Sequence, residues 1–174
     1  DLIFSLWYKC RVDMKSIFFQ VVNKGLKFYW KIFRPHTFGV RVIICYQDKI
    51  LLVKNINYSK WVLPGGGFGI NEKPINALKR ELFEETGIIF KKQKFILLGK
   101  YFNNYEGKRD KILIYYTFTK KRFEIKPCDL EIKKAKYFKF NNLPKNISPG
   151  TARRIKEFLP LLKASGEKIL IKKW

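Results

Sequence analysis

Apolar residues along this chain follow two rhythms. In "FGVRVIICY" (38–46) and "KILLVK" (49–54) they run almost unbroken, with Gln47-Asp48 between them as a turn. Short Val- and Ile-rich runs bounded by polar residues predict buried strands. "KWVLPGGGFG" (60–69) predicts a short strand running into a Gly-rich loop. The period then changes. Over "KPINALKRELFEETG" (73–87), Ala77, Leu78 and Leu82 return at helical spacing, Pro74 sits in the first turn and Gly87 in the stop position. "FILLGKYF" (95–102) and "KILIYYTFTK" (111–120) predict strands flanking a polar loop, "NNYEGKRD" (103–110), and "KKAKYFKF" (133–140) predicts another. "SPGTARRIKEFLPLLKA" (148–164) opens on Ser148 and Pro149 and predicts a helix. Strands on both sides of a long helix, with no internal repeat, predict a mixed α/β domain.

Ahead of these elements, residues 15–33 mix basic and large apolar side chains. Phe18, Val21, Val22, Leu26, Tyr29, Trp30 and Phe33 fall roughly at helical spacing. A helix packed on the domain is the preferred reading, and a basic amphipathic helix on a membrane surface is the alternative. Arg34-Pro35 breaks the pattern. The expected organisation is a basic, aromatic-rich segment over 1–33 and one domain over 34–174. Residues 1–13 precede Met14, the only methionine, and stand either as native chain or as a non-native extension. No apolar run reaches transmembrane length, and "LIFSLWY" lacks a small-residue cleavage site.

Composition narrows the chemistry. At 174 residues and 47% apolar content, a single domain can bury a substantial core. Cys10, Cys45 and Cys128 form no CxxC pair, and an odd count argues against a disulfide framework, favouring a reducing, cytoplasmic setting. Cys45 lies in an apolar run and reads as core. His36 is the only histidine, and alone it cannot anchor a His-based zinc site or a catalytic triad. The formal charge of +23 suggests nucleic acid or an anionic membrane as partner. However, 29 of the 37 basic residues are Lys and 8 are Arg. That Lys-heavy profile, with plentiful Phe, Ile, Asn and Tyr, is what an AT-rich coding sequence imposes, whereas nucleic-acid readers lean on Arg. A compositional origin is preferred. Either origin gives a surface that steers anions.

Against that background, Glu81, Glu84 and Glu85 crowd one short stretch of the predicted helix. Their spacing of i, i+3 and i+4 projects all three from one side. Bare carboxylates so placed repel by some tenths of a kcal/mol or more. Either cationic side chains or a hard divalent metal offsets that, and oxygen donors suit Mg²⁺ or Mn²⁺. Such ions complete their shell with water and substrate phosphate.

Counting from Gly66 gives five residues, Glu72, seven residues, then Arg80-Glu81-Leu82-Phe83-Glu84-Glu85-Thr86-Gly87-Ile88. This resembles the Nudix hydrolases, whose signature is G-x5-E-x7-R-E-U-x-E-E-x-G-U with U aliphatic, and every specified position matches. "WVLPGGG" (61–67) is similar to the lead-in of many members, and "LEIKKAKYFKFNNLP" (130–144) to their common later segment. The likeness covers roughly Arg34 to Phe158 and extends to bacterial members of unassigned substrate. It implies an α/β/α sandwich around a mixed sheet, and hydrolysis of a nucleoside diphosphate linked to another moiety.

Residue by residue, the resemblance implies Glu84 and Glu85 as principal metal ligands and Glu81 as a third ligand or a base. Glu131 is a further candidate ligand or base, or a solvated loop residue. Glu72 and Arg80 are expected to pair and brace the helix. Gly65, Gly66 and Gly67 are expected to let backbone approach metal and phosphates. Arg41 and Arg109 are candidate phosphate contacts or plain surface residues; Tyr58 or Trp61 is a candidate to stack on a base, although Trp61 in such a lead-in is more often a packing residue. Three functions remain open. The first is Mg²⁺- or Mn²⁺-dependent hydrolysis of a pyrophosphate bond in a small nucleotide. The second is removal of pyrophosphate from RNA 5′ ends, and the third is a silent fold that binds RNA or an anionic membrane.

Overall fold

The computed structural model describes residues 36–105, 108–126 and 131–164. The expectations for 1–33 lie outside the described residues. Two compact units divide the chain: 1–37 with 102–110, and 38–101 with 111–174. Of the smaller, the described part comprises His36, Thr37 and strand ends, and the Thr37 hydroxyl donates to Asp110 Oδ1.

Five strands build one sheet: β1 (His36–Tyr46), β2 (Lys49–Asn55), β3 (Ile96–Tyr105), β4 (Lys108–Phe118) and β5 (Ile132–Lys139). Their spatial order is β3-β4-β1-β2-β5. β2 is antiparallel to both β1 and β5, with Cys45 opposite Ile50 and Leu51 opposite Tyr137. Two helices complete the domain, α1 (Pro74–Thr86) and α2 (Pro149–Ala164).

Alternation along the strands decides where the helices go. Side chains on a strand point to opposite faces in turn. Val40, Val42, Ile44 and Leu51 pack with Ala77, Leu78 and Leu82 of α1. Ile43, Cys45, Ile50 and Leu52 pack with Ile155, Phe158 and Leu162 of α2. One helix thus lies on each face, giving the three-layered α/β/α arrangement around a mixed sheet. Each fully buried Leu, Ile or Phe contributes roughly 1.5–3 kcal/mol.

The helix ends follow their sequence signals. Pro74 occupies the first turn of α1, and Gly87 closes it in the left-handed region at φ 70°, its N–H bonding to Phe83 O. Ser148 caps α2 by accepting the Thr151 N–H at 3.2 Å.

Two expectations need correction. The polar stretch 103–110 is not a long loop, because β3 runs to Tyr105 and β4 begins at Lys108. A strand ladder is made of backbone groups, which polar residues supply as well as apolar ones. Likewise, 60–69 forms no regular strand. It wedges between β1 and β2 through single antiparallel bridges, Val53–Val62 on one side and Gly39–Gly67 on the other.

Candidate active site

That wedge positions the glycines. Val42 N–H donates to Pro64 O at 3.0 Å, Val40 N–H to Gly66 O at 2.9 Å, and Phe68 N–H to Phe38 O at 3.0 Å. The Gly-rich turn is stitched to β1 along its length. Gly65 has φ +127°, and a Cβ there would lie 2.2 Å from Val40 O, so only glycine fits.

Gly65 is also the anchor of a carboxylate: its N–H donates to Glu85 Oε2 at 2.7 Å. Glu85 is buried, near the C-terminal end of α1. Glu81, one turn earlier, lies against Gly66, where a Cβ would meet its Oε2 at 2.1 Å. The absent side chain at Gly66 is therefore space that the Glu81 carboxylate occupies. Burial pushes the Glu81 carboxyl above its ordinary pKa; Arg80's hydrogen bond and charge oppose this, Glu84 adds to it, and Arg41 counters it.

Arg80 gathers the remaining groups. Its Nε lies 3.3 Å from Glu72 Oε1 and its Nη2 lies 3.4 Å from Glu72 Oε2. The same Nη2 donates to Gly67 O at 3.2 Å. Its Nη1 donates to Glu81 Oε1 at 2.8 Å and to Glu84 Oε2 at 3.2 Å. The hydrogen bond to Glu72 leads in holding Arg80 firmly charged, against a smaller opposing effect of burial, with Glu81 adding to it.

Arg41, on β1, has a different standing. The residue as a whole is half-buried, but its Nη1 is fully buried and has no hydrogen-bond partner. Burial lowers its pKa, while the charges of Glu85 and Glu81 raise it, which sets the guanidinium in the field of both carboxylates. An unmet buried donor costs about 1–3 kcal/mol, more for a charged group.

The donor set fits a hard divalent cation. Three carboxylates sit on consecutive turns of one helix, and two of them already converge on a single cationic nitrogen of Arg80. Oxygen donors of this kind suit Mg²⁺ or Mn²⁺. Among the described residues no three His, Cys, Asp or Glu side chains close on one point. Glu81 and Glu84 turn toward Arg80 while Glu85 is held by Gly65.

The structure thus brings together Arg41, Gly65, Gly66, Gly67, Glu72, Arg80, Glu81, Glu84 and Glu85. Glu131 is exposed just before β5, with its carbonyl accepting from Ile56 N–H at 2.8 Å. Arg109 lies on β4 with its side chain outside the described residues. Trp61 is buried, its ring edge-on to Phe138 at 4.8 Å, and is a packing residue; Tyr58 is exposed. Sequence reasoning missed that Arg80 reaches Glu81 and Glu84 as well as Glu72. The i, i+4 spacing of Arg80 and Glu84 was the available signal.

Comparison with known proteins decides the family. The model of the NUDIX domain matches residues 35–161. The chain belongs to the Nudix family. A Nudix relative, diphosphoinositol polyphosphate phosphohydrolase 3-beta of Bos taurus, is 38% identical over 66 residues, covering 37% of each chain. RNA pyrophosphohydrolase of Bartonella henselae is 37% identical over 68 residues, 39% of this chain and 35% of that one. The chain therefore spans little more than a third of the length of these curated relatives. Among solved structures, the MutT NUDIX hydrolase from Burkholderia pseudomallei superposes with TM-score 0.61 at 22% identity, over 70% of this chain and 97% of that chain. A bifunctional NMN adenylyltransferase/ADP ribose pyrophosphatase from Francisella tularensis, complexed with AMP and a Mn ion, gives TM-score 0.61 at 21% identity, over 81% and 48%. These likenesses establish the Nudix fold.

Proposed function

We propose that this Nudix protein hydrolyses a pyrophosphate bond in a nucleoside diphosphate linked to another moiety, using Mg²⁺ or Mn²⁺. One observation carries the reading: Glu81, Glu84 and Glu85 are gathered on α1 beneath a glycine turn that is itself bonded to Glu85. Glu81, Glu84 and Glu85 would hold the metal, and Gly65 would bring its backbone to the same place. The metal, when bound, supplies charge neutralisation at the phosphoryl oxygens and a lowered pKa for the attacking water.

The chain's own residues do the rest. Arg41 presents its unmet buried N–H to a phosphate oxygen, which satisfies it and fixes the pyrophosphate. Glu72 holds Arg80 in place beside the cluster, and Arg80 sets the carboxylates. Glu81 is the candidate to accept the proton of the attacking water, since its carboxylate lies against Gly66 and shares an Arg80 nitrogen with Glu84. Water adds to phosphorus, the bond from phosphorus to the bridging oxygen breaks, and that oxygen leaves on the second phosphate.

A second reading has specific support. Relatives named RNA pyrophosphohydrolase include one from Bartonella clarridgeiae that is 60% identical over 35 residues. Removal of pyrophosphate from a 5′-triphosphorylated RNA uses the same bond chemistry. A silent fold is disfavoured, since a binding module gains nothing from three mutually repelling carboxylates. The test is a phosphate-release screen over nucleoside triphosphates, sugar nucleotides, dinucleoside polyphosphates and capped or triphosphorylated RNA, with Mg²⁺ or Mn²⁺. Glu84→Gln should abolish turnover and weaken Mn²⁺ binding in electron paramagnetic resonance, with unchanged circular dichroism. Full activity in that variant would sink the mechanism.

A further inference from the structure

The ladder between β2 and β5 places Lys54 directly opposite Lys134, and Leu52 opposite Lys136. By strand alternation Lys54 shares the α2 face with Ile50 and Leu52, and Lys134 and Lys136 share it with Phe138. Three lysines thus lie side by side on one face. Among the described residues none of them forms an ion pair with an acid. The acidic residues bounding this ladder are Asp48, which pairs with Lys139 at its far end, and Glu131 before β5. Like charges directly opposite on a sheet are destabilising.

Edge protection does not account for the arrangement. Lysines on an exposed edge strand discourage strand addition, and that suffices for Lys134 and Lys136 on β5. Lys54, however, lies on β2, an interior strand. The turn leaving β2 then exposes Tyr58, which lies between Lys54 and Lys60 in sequence, and that turn is pinned by Asn146 Nδ2 donating to Ser59 O at 3.0 Å. An exposed, positioned aromatic set among lysines is the pattern that binds single-stranded nucleic acid, through phosphate contacts and base stacking. An anionic membrane would draw on the same lysines but would not require a positioned stacking aromatic, so Tyr58 favours single-stranded nucleic acid.

We propose that Lys54, Lys134 and Lys136, with Tyr58 as a stacking platform, form a surface that holds single-stranded RNA outside the pyrophosphate site. The choice of RNA over DNA rests on the second reading, removal of pyrophosphate from RNA 5′ ends, because 5′-triphosphorylated ends belong to RNA.

The test is fluorescence anisotropy of a 3′-labelled single-stranded RNA over a KCl series, with EDTA so that no turnover intervenes. Replacing Lys54, Lys134 and Lys136 together by Gln should reduce the slope of log affinity against log salt by about 2, at about 0.7 per phosphate contact. Tyr58→Ala should weaken binding about tenfold. The control replaces Lys91, Lys92 and Lys120, exposed and outside the ladder, by Gln, and should leave the slope near that of the unchanged protein. If the triple variant fails to fold, Lys134→Gln alone carries the test with a slope change of about 0.7. Equal losses in both triples would mean a diffuse field and overturn the proposal. So would binding to vesicles rich in phosphatidylserine without binding to RNA. RNA binding without hydrolysis of any pyrophosphate would sink the hydrolase reading and leave the surface standing.

Discussion

The N–H of Gly65 donates to Oε2 of Glu85 over 2.7 Å, so the turn that lacks side chains is fastened to a carboxylate of α1. Turn and helix are one construction. β1 sets the turn, the turn fixes Glu85, and Gly66 leaves the space that Glu81 fills.

Gly65 and Gly66 should therefore fail differently when changed to Ala. At Gly65 the new Cβ meets the Val40 carbonyl at 2.2 Å with φ in the left-handed half of the map. The clash is with backbone, so a loss of about 2 kcal/mol or more is expected, read by thermal or urea unfolding. At Gly66 the clash is with the end of the Glu81 side chain, which can swing away. Gly66→Ala should fold nearly as well and lose on the order of 10²-fold in kcat through displacement of Glu81.

Arg41 gives a second prediction. Its Nη1 is buried without a partner beside Glu81 and Glu85. If a substrate phosphate completes it, Arg41→Gln should lower kcat/KM about 10- to 100-fold, in line with a charged hydrogen bond of roughly 1.5–3 kcal/mol. Steady-state kinetics over a substrate series checks this, and an unchanged kcat/KM refutes the assignment.

Much of this was legible in the sequence, for identifiable reasons. The strands announce themselves through uninterrupted Val and Ile, and α1 through the period of Ala77, Leu78 and Leu82 together with Pro74 and Gly87. Local signals suffice there. The helical spacing of Glu81, Glu84 and Glu85 likewise requires only a helix. The wedge of 61–67 between β1 and β2 was not legible, because no local pattern says which strands part to admit it. Nor was the placing of Arg41 in the field of Glu81 and Glu85, residues far from it in sequence. The extension of β3 and β4 through polar residues was hidden because a backbone ladder leaves no side-chain signature.

The α2 side of the sheet supplies a prediction about stability independent of the site. Phe158 is fully buried, its ring 5.2 Å from that of Tyr116, 6.2 Å from Phe118 and 6.4 Å from Phe140. Phe158→Ala empties the centre of that cluster and should cost about 3–5 kcal/mol in urea unfolding. Mn²⁺ binding by the folded fraction should be unchanged, since the carboxylates lie on the other helix. A loss below about 1 kcal/mol would mean that α2 does not hold the sheet as its packing implies.

The last prediction concerns acid. Tyr101 of β3 donates to Glu157 Oε2 at 2.8 Å, and Arg154 Nη1 donates to Glu157 Oε1 at 2.5 Å. The Arg154 guanidinium also stacks 3.6 Å from the centre of the Tyr101 ring, so three side chains clamp α2 to β3. Burial pushes the Glu157 carboxyl up, but the bonds from Arg154 and Tyr101, with the charges of Arg154 and Arg153, outweigh it and hold the pKa below its usual value. A carboxylate depressed on folding contributes stability above its unfolded pKa of about 4.3 and loses it as pH falls through the folded value. Glu157 remains nearly half exposed, so solvent screening limits the contribution to under about 1 kcal/mol. Glu157→Gln should therefore flatten the acid limb of a stability-against-pH curve measured by urea unfolding. At neutral pH the variant should be slightly less stable than the unchanged protein, and the two curves should converge below the folded pKa. Curves that stay parallel at every pH would show that the clamp contributes through packing of Arg154 on Tyr101, with no part for the carboxylate charge.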